Sequence, residues 1–169
     1  MSRIYLPGIR LTNLLIVIAC TGLMAYALYA QEVLGLHPCP LCITQRIFVI
    51  AVGLLALIAA IHNPRGLMRR IYAGLAMLAA VVGGIVAGRH LWLQNLPADE
   101  VPSCGPGLEY MFNTFPFMEA VAVLFRGDGN CAIVDWTLLG LSMPGWVLIA
   151  FVGLFIINLW QILRPASSA

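Results

Sequence analysis

Five cysteines stand in this sequence, and four of them are spaced so that they could do chemistry. Cys39 and Cys42 form the run Cys-Pro-Leu-Cys, Cys104 and Cys131 follow further along, and Cys20 stands alone in an apolar stretch. Two thiols three residues apart can open and close as a disulfide. A second pair able to approach them lets electrons pass between pairs, by thiolate attack through mixed disulfides. Static disulfides that staple two loops would use the same residues, so the surroundings must decide.

Those surroundings favour charge on sulfur. Pro40 suits the first position of a helix, which predicts Cys39 as N-cap and Cys42 as the third helical residue. Free backbone N–H groups and the positive end of the helix dipole there favour thiolate over thiol. Arg46 follows Cys42 by four residues, on the same face one turn deeper. A guanidinium in that place adds to thiolate stabilisation and offers hydrogen bonds to an oxygen of a bound ligand. The bland reading, for Arg46 as for Arg89, is a side chain reaching for lipid headgroups. Cys20 reads as inert core.

The elements that hold these residues follow from composition. The chain has 169 residues, of which 62% are hydrophobic and 9% charged, against about 45–50% and about 25% in soluble domains. So few charges could not cover a soluble surface. A soluble enzyme, a disordered tail and a nucleic-acid binder are all excluded; a net charge of +2 would hold a phosphate backbone only weakly. Four apolar runs, at about 11–30, 41–61, 71–90 and 144–163, are each near the roughly 20 residues that a membrane-spanning helix needs. The fold class is therefore an all-α membrane protein, a single domain over residues 1–169 built as a four-transmembrane-helix bundle. The first run is preceded by Arg3 and Arg10, and its Ala25-Tyr26-Ala27 resembles a signal-peptide cleavage site. Its length exceeds a signal peptide's usual apolar core, so it is expected to stay uncleaved.

Charge sets the orientation. All nine basic residues are arginines. Arg3, Arg10, Arg65, Arg69, Arg70 and Arg164 fall on one side of the predicted spans with no acid among them. Every Asp and Glu falls on the other side, together with Arg46, Arg89 and Arg126. The positive-inside rule then places both termini in the cytoplasm and the loops 31–40 and 91–143, with the four paired cysteines, outside. That compartment permits disulfides. The second outer loop, about 50 residues, exceeds a plain connector, and loops of that size are usually functional. Within it, Pro116 to Phe125 reads as a short helix with Pro at its first position. Phe117, Met118, Val121, Ala122 and Phe125 share one apolar face, which either lies in the outer membrane interface or packs onto the bundle. Gly84-x-x-x-Gly88 allows close helix contact.

The conjunction favours a redox relay from the loop pair inward to the Cys-x-x-Cys pair. No haem, flavin or nucleotide motif is visible to take the electrons. Covalent haem is disfavoured because Ile43, not His, follows Cys42. A lipid-soluble quinone is the economical acceptor. A zinc site from Cys39, Cys42, Cys104 and His37 is the metal-binding alternative, on weaker grounds; no metal is expected.

The sequence resembles the disulfide bond formation protein B (DsbB) family, quinone-reducing oxidases of the bacterial inner membrane. The resemblance rests on the four spans, Pro38-Cys39-Pro40-Leu41-Cys42-Ile43 with Gln45-Arg46, Arg89-His90-Leu91, Cys104 with Cys131, and the run from Asp135-Trp136 to Pro144-Gly145-Trp146. It implies Cys39, Cys42, Cys104 and Cys131 as the catalytic residues, with a DsbA-like thioredoxin-fold protein as electron donor. Cys104 would take the mixed disulfide with the donor, Cys131 would attack Cys39, and Cys42 would be released beside a quinone, ubiquinone or menaquinone. Arg46 and His90 would bind that quinone with Cys42. Gln45 stands where some members carry Glu. A reductase of the vitamin K epoxide type, and a non-enzymatic scaffold with two structural disulfides, are the other readings of the same layout.

Overall fold

The structure, a computed structural model, describes residues 8–97, 99–104 and 116–164. Arg3 and Glu109, which the charge distribution assigns to opposite ends, lie outside them. Four long helices make the frame: α1 (Ile9–Glu32), α2 (Pro40–His62), α3 (Leu67–Gln94) and α5 (Met143–Leu163). All four are long and apolar enough to cross a membrane. Even α5, with 21 residues, measures about 31 Å at 1.5 Å per residue, enough for a hydrocarbon layer of about 30 Å. Between α3 and α5 come a short helix α4 (Phe117–Arg126), a 3-10 turn (Gly129–Ala132) and a hairpin of β1 (Thr137–Leu138) and β2 (Leu141–Ser142).

The bundle is inverted relative to a soluble fold. Leucines and isoleucines such as Leu15, Ile18, Ile61, Leu78, Ile85 and Ile156 face outward, while the interior gathers Ala56, Ala76, Ala80, Ala87 and Val52 around Ile16 and Phe151. In lipid, burying apolar groups between helices gains nothing over leaving them in acyl chains, so small residues that allow close approach define the seams. The closest approach is at Gly83, not in the Gly84-x-x-x-Gly88 pair. A Cβ on Gly83 would lie 2.3 Å from Phe151 Cζ, whereas Gly84 has ordinary contact distances and Gly88 has no neighbour within 4 Å. Gly83 is thus the notch that seats the Phe151 ring between α3 and α5.

α1 packs on α2, α2 on α3 and α3 on α5. At the terminal end of the bundle a buried side-chain amide pair joins α1 to α5, Asn13 Nδ2 donating to Gln161 Oε1 at 3.3 Å. Near it, buried Arg69 donates to the Arg164 carbonyl. Neither amide could stand alone in an apolar interior without a partner.

At the cysteine end, the elements differ from the sequence expectation in three places. Helix α3 runs on to Gln94 and begins at Leu67; charged residues at both ends of the apolar run mark where the oil ends, not where the helix does. His90 is therefore held on a rigid helix. Pro116 lies just outside α4 as its N-cap. The helix docks on the start of α2: Thr44 Oγ1 donates to the Leu124 carbonyl at 2.7 Å, and Phe48 meets Phe125 edge-on at 6.4 Å. Met118 stays 74% exposed and Phe125 partly so, leaving an open apolar face beside the docked one. The side chain of Phe117, also assigned to the apolar face, lies outside the description. The hairpin left no periodic signal because each strand has two residues. Its turn holds Leu139 and Gly140 at φ of 52° and 80°, and Trp146 Nε1 ties it to α5 by donating to the Leu138 carbonyl at 3.1 Å.

Candidate dithiol site

Helix α2 begins as the proline predicted. Cys39 is the N-cap, and its sulfur accepts from the backbone N–H of Cys42 at 3.4 Å. Capping by sulfur turns both thiols to the same side, with their Sγ atoms 3.1 Å apart. Cys39 is buried and Cys42 partly so, at the wall of a cavity of about 300 Å³.

The second pair divides between inside and outside. Cys131 sits in the 3-10 turn and is only 1% exposed. Asp128 caps that turn by accepting from Asn130 N at 3.1 Å, and the Cys131 thiol reaches the same carboxylate oxygen at 3.8 Å. The sulfur of Cys131 also shares a hydrogen bond with Cys39. Cys104 is exposed. Its segment runs across Gly129, whose N–H donates to the Ser103 carbonyl at 3.2 Å. A Cβ on Gly129 would stand 2.4 Å from the Pro102 carbonyl and 3.2 Å from Cys104 Sγ. Only glycine lets the Cys104 segment lie this close to the turn that carries Cys131.

Electrostatics divide the sulfurs by role. The Cys131 thiol is lowered from 9.0 to about 7, mainly by its hydrogen bond with Cys39, against an opposing contribution from burial and with help from the backbone at Leu41. Cys39 moves the other way: hydrogen bonds with Cys131, then with Cys42, and burial hold its proton. With all these sulfurs reduced, a substantial fraction of Cys131 is thiolate near neutral pH.

Helix α3 brings His90 to the pair, with Nε2 3.7 Å from Cys39 Sγ. Cys39, Cys42 and His90 place their ligand atoms within 4.8 Å of one another. The zinc alternative with His37 and Cys104 is not what assembles: His37 lines the cavity wall, but the histidine at the sulfurs is His90, and Cys104 is on the exposed side of Gly129. Arg46 lines the cavity with Cys42 and His90. Its guanidinium reaches across to the end of α1, Nη1 donating to Gln31 Oε1 at 2.7 Å and Nη2 to the Ala27 carbonyl at 3.1 Å. That engages two of its five N–H groups and ties α1 to α2 at the cavity mouth. Cys20 is buried against Gly53 in the bundle core, among apolar neighbours.

Several residues to which the sequence reading gave no role in the site belong to it. Gln45 is buried and holds His90, its Nε2 3.1 Å from His90 Nδ1. Asp128 organises the turn under Cys131. Tyr26 and Trp136, edge-on at 5.9 Å, bring α1 and the approach to the hairpin together on the cavity wall. The sequence signals for Gln45 were its place one turn beyond Cys42 on the same helix and its substitution at a motif position where some relatives carry Glu. Nothing local announces the others, because each contact joins distant segments.

The cavity wall is mostly apolar, its polar points including Cys42, Gln45, Arg46, His90, Gln94 and Asp135. Such a site suits a ligand that is largely apolar and carries a few hydrogen-bond acceptors. A quinone has that chemistry, two carbonyl oxygens on a flat ring with an apolar tail. The residues fit it.

Comparison with known proteins agrees along nearly the whole chain. Residues 9–161 match the family described as Disulfide bond formation protein DsbB. A protein of Saccharophagus degradans named Disulfide bond formation protein B is 62% identical over 95% of this chain and 97% of its own length. Similar proteins of the same name occur in Methylococcus capsulatus, 53% identical over 92% of this chain and 95% of its own, and in Stutzerimonas stutzeri, 51% identical over 89% and 94%.

Proposed function

The chain belongs to the DsbB family of disulfide-forming membrane proteins, and on that premise we propose that it is a quinone-linked dithiol oxidase of the bacterial inner membrane. It reoxidises a periplasmic DsbA-like thioredoxin-fold protein and generates disulfides de novo. The observation that carries this reading is the split of the loop pair: Cys104 is exposed, while Cys131 is buried and hydrogen-bonded to Cys39.

The exchange starts with both pairs as disulfides. A donor thiolate attacks Cys104, the accessible sulfur; the Cys104–Cys131 bond breaks and its electron pair leaves on Cys131. The Cys131 thiolate attacks Cys39, forming a Cys39–Cys131 bond and expelling Cys42 as thiolate. Negative charge on that sulfur is favoured by the helix N-terminus. The donor's second thiol then resolves its mixed disulfide and frees Cys104. Cys104 attacks Cys131, restoring the loop disulfide and releasing Cys39. The donor has lost two electrons, and Cys39 and Cys42 have gained them.

A membrane quinone, ubiquinone or menaquinone, is the sink, taking up two electrons and two protons as it becomes quinol. Cys42, on the cavity wall, would be the sulfur beside the bound ring. Arg46 would offer N–H groups to its carbonyl oxygens, His90 would assist from beside the sulfurs, and the apolar wall would exclude water. The test is turnover by detergent-purified protein with a reduced thioredoxin-like donor and a soluble quinone analogue, following quinone absorbance and donor thiols together. Stoichiometric loss of both is expected, and it should vanish in Cys42→Ser and in Cys104→Ser. Near-normal turnover in either variant refutes the relay.

A further inference from the structure

The hydrogen bond between Gln45 and His90 has a direction fixed by chemistry. Both side chains are more than nine-tenths buried, at 4% and 3% exposure. The atom of Gln45 facing the ring is Nε2, 3.1 Å from His90 Nδ1. An amide nitrogen donates and cannot accept, so Nδ1 must be the nitrogen without a proton. The single proton of the neutral ring is then on Nε2, the nitrogen 3.7 Å from Cys39 Sγ.

We propose that Gln45 is a positioning residue that fixes His90 as its Nε2–H tautomer, so that the ring offers the sulfur pair a hydrogen-bond donor and not a lone pair. This rests on the dithiol relay proposed above and deepens it. The consequence for exchange is direct. When the Cys39–Cys42 bond breaks, negative charge appears on sulfur, and a donor already aimed at the pair stabilises it without reorganisation. A lone pair in that place would face the same charge unfavourably.

The tautomer has a second consequence. Two thiolates and an imidazole nitrogen within 4.8 Å of one another are three of the four ligands of a common zinc site. A histidine that binds metal ordinarily donates its other ring N–H to an acceptor. Gln45 Nε2 presents the opposite polarity and leaves the sulfur-facing nitrogen protonated. The reduced dithiol is thereby kept available for exchange instead of being captured by a soft cation.

The experiment uses the full-length, reduced protein in detergent with ¹⁵N-labelled histidine, His90 being assigned by comparison with His90→Gln. Wild type should show Nε2 protonated and Nδ1 bare; Nδ1 protonated overturns the proposal. In Gln45→Glu the carboxylate can only accept, so the proton should move to Nδ1. Zn²⁺ should then bind the reduced variant about 10–100-fold more tightly than wild type, and the gain should vanish in Gln45→Glu/His90→Ala. Equal Zn²⁺ affinity in wild type and Gln45→Glu, or a gain that survives loss of His90, overturns it as well. The wild-type spectrum alone decides the matter if Gln45→Glu fails to fold. Failure of quinone-linked turnover with the predicted tautomer present would defeat the relay and not the tautomer assignment.

Discussion

At the scale of single residues, hydrogen bonding and burial together separate a readily ionised sulfur, Cys131, from a proton-holding one, Cys39. The hydrogen bond with Cys39 lowers Cys131 to about 7. In the reduced protein its thiolate fraction, and with it the rate of alkylation at Cys131, should therefore rise through neutral pH and level off above it, whereas an unperturbed thiol would still be rising near 9. Cys39→Ala removes the main cause, so the alkylation profile of Cys131 in the reduced protein should shift to higher pH. An unshifted profile would mean that the backbone at Leu41 governs Cys131. Arg46 makes a different contribution. Arg46→Lys keeps the charge but loses the planar fork that reaches Gln31 and Ala27 at once. Losing a charge-assisted hydrogen bond of about 1.5–3 kcal/mol should raise the KM for quinone by about 10–100-fold, with a smaller effect on the KM for the dithiol donor. Steady-state kinetics with each substrate varied in turn will show which side is affected.

At the scale of elements, the site depends on where helices start and how closely they approach. Pro40 and the Cys39 cap fix the first turn of α2, and Thr44 in the next turn holds α4 through the Leu124 carbonyl. The deeper frame rests on Gly83 and Phe151. Gly83→Ala puts a methyl group 2.3 Å from the ring edge. Overpacking of this kind costs about 1–3 kcal/mol. Thermal denaturation in detergent should register the loss, and Phe151→Leu in the same chain should recover part of it. Gly84→Ala, with ordinary distances around it, should be nearly silent in the same measurement.

At the scale of the molecule, the four long helices deliver two loops to one end and the arginines Arg10, Arg65, Arg69, Arg70 and Arg164 to the other. The arginine bias predicts that reporters fused at the 63–66 connection are cytoplasmic and those inserted near residues 99–100 are periplasmic. An impermeant thiol reagent should label Cys104 in intact, reduced cells. Labelling only after the cells are broken would reverse the orientation and place the exchange chemistry in the wrong compartment for disulfides.

Composition and local spacing were enough to read much of this protein from its residues. Hydrophobic run length set the four helices, because a bilayer of fixed thickness demands that length. Pro40 set the start of α2, and with it the cap at Cys39 and the place of Cys42. The residues proposed for chemistry were legible for a related reason: thiols, a guanidinium and an imidazole stand out at the ends of such apolar runs. Which of them meet depends on packing between distant segments. It put Cys131 against Cys39 with Cys104 outside, made His90 the histidine at the sulfurs, turned Arg46 toward α1, and placed Gln45 behind His90. Each of these is a contact between segments far apart in the chain. Its geometry comes from how α3 packs on α2 and how the turn at Gly129 lies under the Cys104 segment, and no local pattern encodes that distance.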